Sequence, residues 1–146
     1  MFVIKQIRLP VPGIEELRRE AREEGYNFLE TLVEEWARGA NCFDGPGEIL
    51  CGAFDEGPLV AVGGLNRDPF AGRDEVGRVR RVYVRPGWRN RGIGEALVKR
   101  LVEHARQSFR VVRLRAENAR AALLYERMGF SRCDDPDATH LLAFDV

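Results

Sequence analysis

Residues 82–95, Val-Tyr-Val-Arg-Pro-Gly-Trp-Arg-Asn-Arg-Gly-Ile-Gly-Glu, carry the residue types in this chain best suited to chemistry on a phosphate. An apolar, β-branched run passes through Pro86 and Gly87 into a turn containing Arg89 and Arg91. The turn opens at Gly92 and Gly94 directly into an amphipathic stretch. At a helix start, several backbone N–H groups have no internal partner, and the macrodipole adds partial positive charge. The two glycines let a phosphate approach the backbone without a Cβ in the way, and the arginines add charge. By these physical arguments the segment is a pyrophosphate cradle; the plainer alternative is a helix that merely begins with two glycines.

Two other phosphate motifs do not fit. Nothing matches the Gly-x-x-x-x-Gly-Lys-Ser/Thr loop. The dinucleotide pattern Gly-x-Gly-x-x-Gly/Ala begins at Gly92 and Gly94 but meets Leu97 where the third small residue belongs.

The elements that must position this turn follow from periodicity. Residues 3–9 alternate weakly and form a first strand, after which Pro10, Pro12 and Gly13 break the chain. Ile14, Leu17 and Ala21 have helical spacing up to Gly25, and Leu29, Leu32, Val33 and Trp36 share one face of a second helix that ends near Gly39. Residues 48–54 and 58–65 read as strands joined by the turn Asp55-Glu56-Gly57. Residues 66–74 are a polar loop, 76–84 a strand, 93–105 a helix, 110–116 a strand, 119–128 a helix and 139–145 a last strand. The order β-α-α-β-β-β-α-β-α-β implies an α/β fold in which a single mixed, mostly antiparallel sheet is flanked by helices, in one domain spanning residues 1–146.

A second informative segment is Asn118 to Phe130, Asn-Ala-Arg-Ala-Ala-Leu-Leu-Tyr-Glu-Arg-Met-Gly-Phe. Together with Arg89-x-x-Gly92-x-Gly94 and the preceding Val82-Tyr83-Val84, it resembles the two signatures of the GNAT (GCN5-related N-acetyltransferase) superfamily. The resemblance is strong over residues 76–146 and rests only on element order before that. It implies an acetyl-CoA-dependent N-acyltransferase. Val82, Tyr83 and Val84 would bind the pantetheine arm, and Arg89, Asn90, Arg91, Gly92, Ile93, Gly94 and Glu95 would form the pyrophosphate turn. Asn118 would touch the cofactor arm, and Tyr125 would act as general acid on the leaving thiolate. Independently of the resemblance, seven residues separate Asn118 from Tyr125, which puts them on one helix face about 10.5 Å apart. Core packing remains the ordinary role for Tyr125, and an N-cap the ordinary role for Asn118.

The resemblance departs from its pattern at the base. Some family members place a glutamate five residues before the matching Asn, and here that position is Arg113. Glu75, Glu117, His140 or a water relay are the substitutes, although His140 alternates with Leu142 and Phe144 as a core or edge histidine would. A lysine-like amine of pKa about 10.4 costs roughly 4.6 kcal/mol to deprotonate at pH 7, an α-amine near 8 only about 1.4 kcal/mol. A weak base therefore leans toward low-pKa acceptors.

For the acceptor, Glu23, Glu24, Tyr26, Asn27 and Glu30 lie at the junction of the two first helices and would attract a cationic amine. Arg78 and Arg80 would instead hold a carboxylate; solvated surface is the third option. A small-molecule amine is the favoured acceptor, a protein lysine or N-terminal amine the runner-up, and a non-catalytic acyl-CoA sensor the alternative class. Family members often dimerise, so a homodimer is a further possibility.

Composition bounds these readings. The 146 residues are 45% hydrophobic and 32% charged with zero net charge. Residues 73–115 hold thirteen Arg or Lys against four Asp or Glu, between two acidic flanks, as a site for a polyanion would. No aromatic-interleaved basic stripe supports nucleic-acid binding, and no apolar run approaches the roughly 20 residues of a membrane span. Cys42, Cys51 and Cys133 have neither the number nor the spacing of a disulfide framework or zinc site, so no metal is expected. The opening MFVIKQIRLP has no signal-peptide pattern, and a cytoplasmic location is the expectation.

Overall fold

Alternation along the strands decides which helices cover which face of the sheet. The computed structural model describes residues 1–144. Its elements run β1 (Phe2–Gln6), α1 (Ile14–Glu23), α2 (Phe28–Ala37), β2 (Ile49–Asp55), β3 (Leu59–Arg67), β4 (Val76–Val84), α3 (Ile93–Ala105), β5 (Val111–Leu114), α4 (Ala119–Arg127), β6 (Ser131–Arg132) and β7 (His140–Ala143). Leu50 and Val62 point to one face, where they pack with Leu17, Ala21, Leu29 and Leu32 of α1 and α2. Their neighbours Cys51 and Ala61 point to the other, against Leu97 and Leu101 of α3 and Tyr125 of α4. A residue period of two on the strands thus feeds two separate apolar layers.

The seven strands form one sheet in the order β1-β2-β3-β4-β5-β7-β6. All neighbours are antiparallel except β4 and β5. The fold class and the strand and helix order match the sequence reading, with β4 and α3 at the expected limits. Several other limits shift by a residue or two, and three differences are larger or concern whole strands. β1 ends at Gln6 rather than residue 9, because after Ile7 donates to the Leu50 carbonyl (2.9 Å) the chain leaves the sheet. β6 is two residues long, too short to leave a periodic signal. The last strand ends at Ala143, and Asp145, in the expected strand, lies outside the described residues.

What shapes the site is the partial pairing of β4. It pairs with β5 only through Val76, Gly77 and Arg78, and beyond Arg78 the two strands separate. On its other side β4 carries a bulge. Tyr83 pairs with Val62 and Arg80 with Gly64, so Arg81 and Val82 together oppose Gly63. Arg81 takes φ 62°, the left-handed conformation that lets one strand absorb an extra residue. Gly63 accommodates the bulge because it has no side chain: a Cβ there would stand 3.3 Å from Val82 Cγ2 and 3.2 Å from Leu97 Cδ2.

Asp68, just after β3, ties the closed end together. Its carboxylate is fully buried and accepts hydrogen bonds from Arg113 Nε (2.9 Å) on β5 and Arg78 Nη1 (3.3 Å) on β4. It also accepts from the Phe70 and Ala71 N–H groups (2.8 and 3.1 Å), fixing the loop between β3 and β4. Arg113 reaches on to Asp135 (3.1 Å), and Arg78 Nη2 to the Asp137 carbonyl (2.7 Å). Burial pushes the Asp68 carboxyl up. The bonds from Arg113 and the Phe70 N–H, with the charges of Arg113 and Arg78, outweigh it and hold the carboxyl below its usual range.

Asp68→Ala should therefore cost about 3 kcal/mol of unfolding free energy, since it deprives the buried Arg78 and the largely buried Arg113 of the carboxylate they share. Urea denaturation measures this. A carboxyl depressed in the folded state contributes stability that is complete above its unfolded pKa of about 3.9 and is lost as pH falls through the folded value. The wild type should lose this increment below about pH 4, whereas the variant, already lacking it, should show a shallower acid limb.

Candidate functional site

The separation of β4 from β5 leaves an edge of backbone without a strand partner. The Arg85 N–H donates to the Val60 carbonyl of β3 (2.9 Å), and Tyr83 pairs with Val62. Alternation then turns the N–H and C=O groups of Val82 and Val84 the other way, toward the gap. A cleft of about 370 Å³ lies along this edge. Val82, Tyr83 and Val84 line one wall, Gly92, Ile93, Gly94 and Glu95 at the start of α3 a second, and Asn118, Ala121, Leu124 and Tyr125 of α4 a third.

The turn into α3 is held open by backbone conformation. Asn90 and Gly92 both have positive φ (64° and 80°), and Gly92 caps the helix with no side chain competing for its N–H groups. The first helical bond runs from Ala96 N–H to the Gly92 carbonyl (3.0 Å), so the N–H groups of Ile93, Gly94 and Glu95 have no helical acceptor. A Cβ at Gly92 would meet no protein atom within 4 Å, and one at Gly94 would stand 3.5 Å from Val84 Cγ2. Both glycines line the cleft and leave space beside the turn. The open N–H groups and this space suit an oxygen-rich anion.

The arginines of the turn do different work. Arg89 lines the cleft, but its Nε donates to the Val84 carbonyl (3.0 Å) and its two Nη atoms to Glu24 at the end of α1 (2.8 and 2.6 Å). Its guanidinium also covers the Tyr83 ring (5.4 Å), and the Tyr83 hydroxyl donates to the same Glu24. Burial and Glu24 raise the Tyr83 phenol well above its ordinary value. Arg89 is thus a strut between turn and helix as well as a wall of the cleft. Arg91 does not line the cleft; its nearest carboxylate is Asp55 (3.9 Å).

Two arginines absent from the sequence reading line the cleft from α4. Arg120 donates to Asn90 Oδ1 (2.6 Å) and Arg127 pairs with Glu95 (3.2 Å), bracing α4 against the turn. Their spacing with Leu124 (i, i+4, i+7) was a legible helix face, but nothing local says which element that face meets.

Asn118 is an N-cap, accepting from Ala121 N–H (2.8 Å), and its Nδ2 donates to the Tyr26 hydroxyl (3.3 Å). Tyr26, from the first helix junction, is thereby part of the cleft wall. Tyr125 is 7% exposed, its ring set against Phe130 and His140 (centroids 5.8 and 6.5 Å). Its hydroxyl has no hydrogen-bond partner among the described residues. Burial and the nearby Glu117 charge push its pKa up to about 12, so the phenol keeps its proton at neutral pH. Beyond Tyr125 opens a second chamber of about 200 Å³ that shares Phe28, Val82, Glu117 and Tyr125 with the first. Glu117 and Tyr125 therefore stand where the two spaces join.

Of the acid–base candidates, Glu117 alone reaches this junction. Glu75 precedes the paired end of β4, where it is bound by Arg73 and faces Arg110 (3.9 Å), and it lines neither space. His140 is buried, with Nε2 bound to Glu126 and Nδ1 to Thr139 Oγ1 (both 2.8 Å), the core role its alternation allowed. Of the acidic residues at the first helix junction, Glu23 pairs with Arg19 (3.1 Å), Glu24 with Arg89, and Glu30 with Arg18 and Arg22 (2.7 and 2.8 Å). None is left to receive a cationic amine, and Asn27, the N-cap of α2, lines neither space.

Residues 11–130 match the profile of the family described as Acetyltransferase (GNAT) family. Among solved structures, a provisionally assigned acetyltransferase from Exiguobacterium sp. 255-15 superposes with a TM-score of 0.86 at 25% identity, over 98% of this chain and 93% of that one. The PaiA N-acetyltransferase of Thermoplasma acidophilum, solved in complex with coenzyme A, gives a TM-score of 0.68 at 18% identity over 99% of both chains. A GNAT-family protein from Desulfovibrio desulfuricans gives 0.76 at 18% identity, over 98% of this chain and 99% of that one. At 18% identity these last two likenesses are of fold.

The left-handed cap at Gly92 makes a graded prediction. Gly92→Ala should lose about 1 kcal/mol of stability, and Gly92→Asn distinctly less, because Asn tolerates the left-handed region better. Paired urea melts of the two variants check the order.

Proposed function

The chain belongs to the GNAT acetyltransferase family, which carries out acyl-CoA-dependent acyl transfer, and from that premise we propose that it moves an acetyl group from acetyl-CoA to a primary amine of a small molecule. The observation that carries this reading is the junction. A protonated, partnerless phenol and a carboxylate meet between a phosphate-suited cleft and a separate small chamber.

In this reading the Val82 N–H and C=O and the Val84 N–H hydrogen-bond the pantetheine arm as a missing β5 strand would, the Val84 carbonyl being held by Arg89, and the Ile93, Gly94 and Glu95 N–H groups receive the pyrophosphate. Asn118 and the Tyr26 hydroxyl it holds border the arm. The acceptor amine lies in the second chamber. Glu117, directly or through water, takes the proton that makes the nitrogen nucleophilic. The amine then attacks the thioester carbonyl, a backbone N–H near Val82 steadies the oxyanion, the C–N bond forms, the C–S bond breaks, and the surplus proton of the new amide nitrogen passes to the departing thiolate. Tyr125 donates a hydrogen bond to the departing sulfur. A thiol has a pKa of about 8.5, well below that of this phenol, so the hydroxyl stabilises the thiolate more than it surrenders its proton. Most of the acceleration comes from holding two reactants in adjoining spaces.

Tyr125→Phe should lower kcat about 10²-fold in an acetyl-CoA-dependent thiol-release assay while leaving the thermal stabilisation by acetyl-CoA near the wild-type value. An unchanged kcat would remove Tyr125 from the mechanism. Absence of any stabilisation of the wild type by acetyl-CoA would remove the cleft from it.

A further inference from the structure

Resting on the acyl-transfer reading above, we propose that the acceptor is a small amine that also bears an anionic group, a carboxylate or a phosphate, held by Arg80 in the second chamber. Elimination among the arginines of the chamber singles out Arg80. Arg78, Arg80, Arg81 and Arg115 all line this chamber, and Glu117 is the only acidic residue that does among the described residues. Arg78 is neutralised by Asp68 (3.3 Å) and engaged by the Asp137 carbonyl, and Arg81 faces Glu35 (3.4 Å). Arg115 bonds only the Pro136 carbonyl and is exposed. Arg80 makes no ion pair and no hydrogen bond among the described residues, Glu35 and Asp68 acting on it only from a distance, although it is half-buried on the strand that carries the reaction edge.

A guanidinium placed this way is costly. Burial and the charges of Arg81 and Arg78 bring its pKa down to about 10, so it is still a cation at pH 7 but a poorly compensated one. A bound anion would supply the missing partner, with the planar fork matched to carboxylate or phosphate.

The anion in question is not a phosphate of acetyl-CoA. The start of α3 lines only the first space, and Arg80 and Arg115 line only the second. Two anion-attracting regions thus flank the junction, one on each side of Tyr125. An acceptor in the chamber would meet Glu117 with its ammonium and Arg80 with its anionic group. This polarity selects a zwitterion over a polyamine.

The test is acetyl-CoA-dependent thiol release with matched acceptors: free amino acids against their carboxamides, aminoethyl phosphate against ethanolamine, and spermidine as a polycation. The member bearing the anionic group in at least one pair should show a kcat/KM about 10- to 100-fold above the partner that lacks it, the effect of one charge-assisted hydrogen-bonded contact. Which pair responds distinguishes carboxylate from phosphate. The preference should collapse toward unity in Arg80→Gln, through KM rather than kcat, and return in part in Arg80→Lys. Equal use of both members, a preference for spermidine, silence of every anionic acceptor, or a preference intact in Arg80→Gln would each overturn the proposal. Should the variants not fold, the wild-type pairs still decide it. Thermal stabilisation by acetyl-CoA, measured on the same samples, separates the two levels. Its absence sinks the acyl-transfer reading, whereas its presence without an anionic preference sinks only the acceptor assignment.

Discussion

One buried carboxylate sets the geometry on which the candidate site depends. Asp68 binds an arginine from each of the two strands that are about to part, together with two N–H groups of the adjoining loop. A buried anion is tolerable only when its hydrogen-bonding capacity is met, and four donors meet it here. With the strands tied at that vertex, their separation beyond Arg78 is a fixed opening and not slack. The bulge at Arg81 and Val82 then redirects the rest of β4, and the free edge, the turn and the cleft all follow from where that strand goes.

The arginines explain a feature that composition alone presents ambiguously. The basic middle of the chain looks like a site for a polyanion, yet much of its charge meets carboxylates from the acidic N-terminal segment. Arg85 faces Glu20, Arg89 faces Glu24, Arg81 faces Glu35, and both Arg78 and Arg113 face Asp68. The asymmetry along the sequence is therefore in large part the trace of ion pairs between distant segments. Arginine suits this because its fork can satisfy a carboxylate and a carbonyl at once, as Arg89 does between Glu24 and Val84. Against that background an arginine without a hydrogen-bond or ion-pair partner among the described residues, as at Arg80, carries information.

The two-turn spacing of Asn118 and Tyr125 serves both packing and chemistry. Asn118 caps α4 and holds Tyr26; Tyr125 packs its ring into the core and leaves its hydroxyl at the junction. The ordinary structural role and the proposed catalytic one coexist because they use different atoms of the same side chain.

Much of this was legible in the sequence wherever the physics is local. Apolar periodicity placed β4 and α3 at their observed limits, and the glycines and prolines placed the turn between them, because backbone preferences and helix termini are decided within about ten residues. The same locality put Asn118 and Tyr125 on one helix face. Only the tertiary structure decided what each charged side chain does. Arg89 meets Glu24 across 65 positions, and Glu117 reaches the junction while Glu75 and His140 are drawn into other contacts. Arg91 turns away from the cleft while Arg120 and Arg127 turn toward it. Ion pairing and burial depend on which surfaces the fold brings together, and a long flexible side chain leaves no periodic mark of its partner in the sequence.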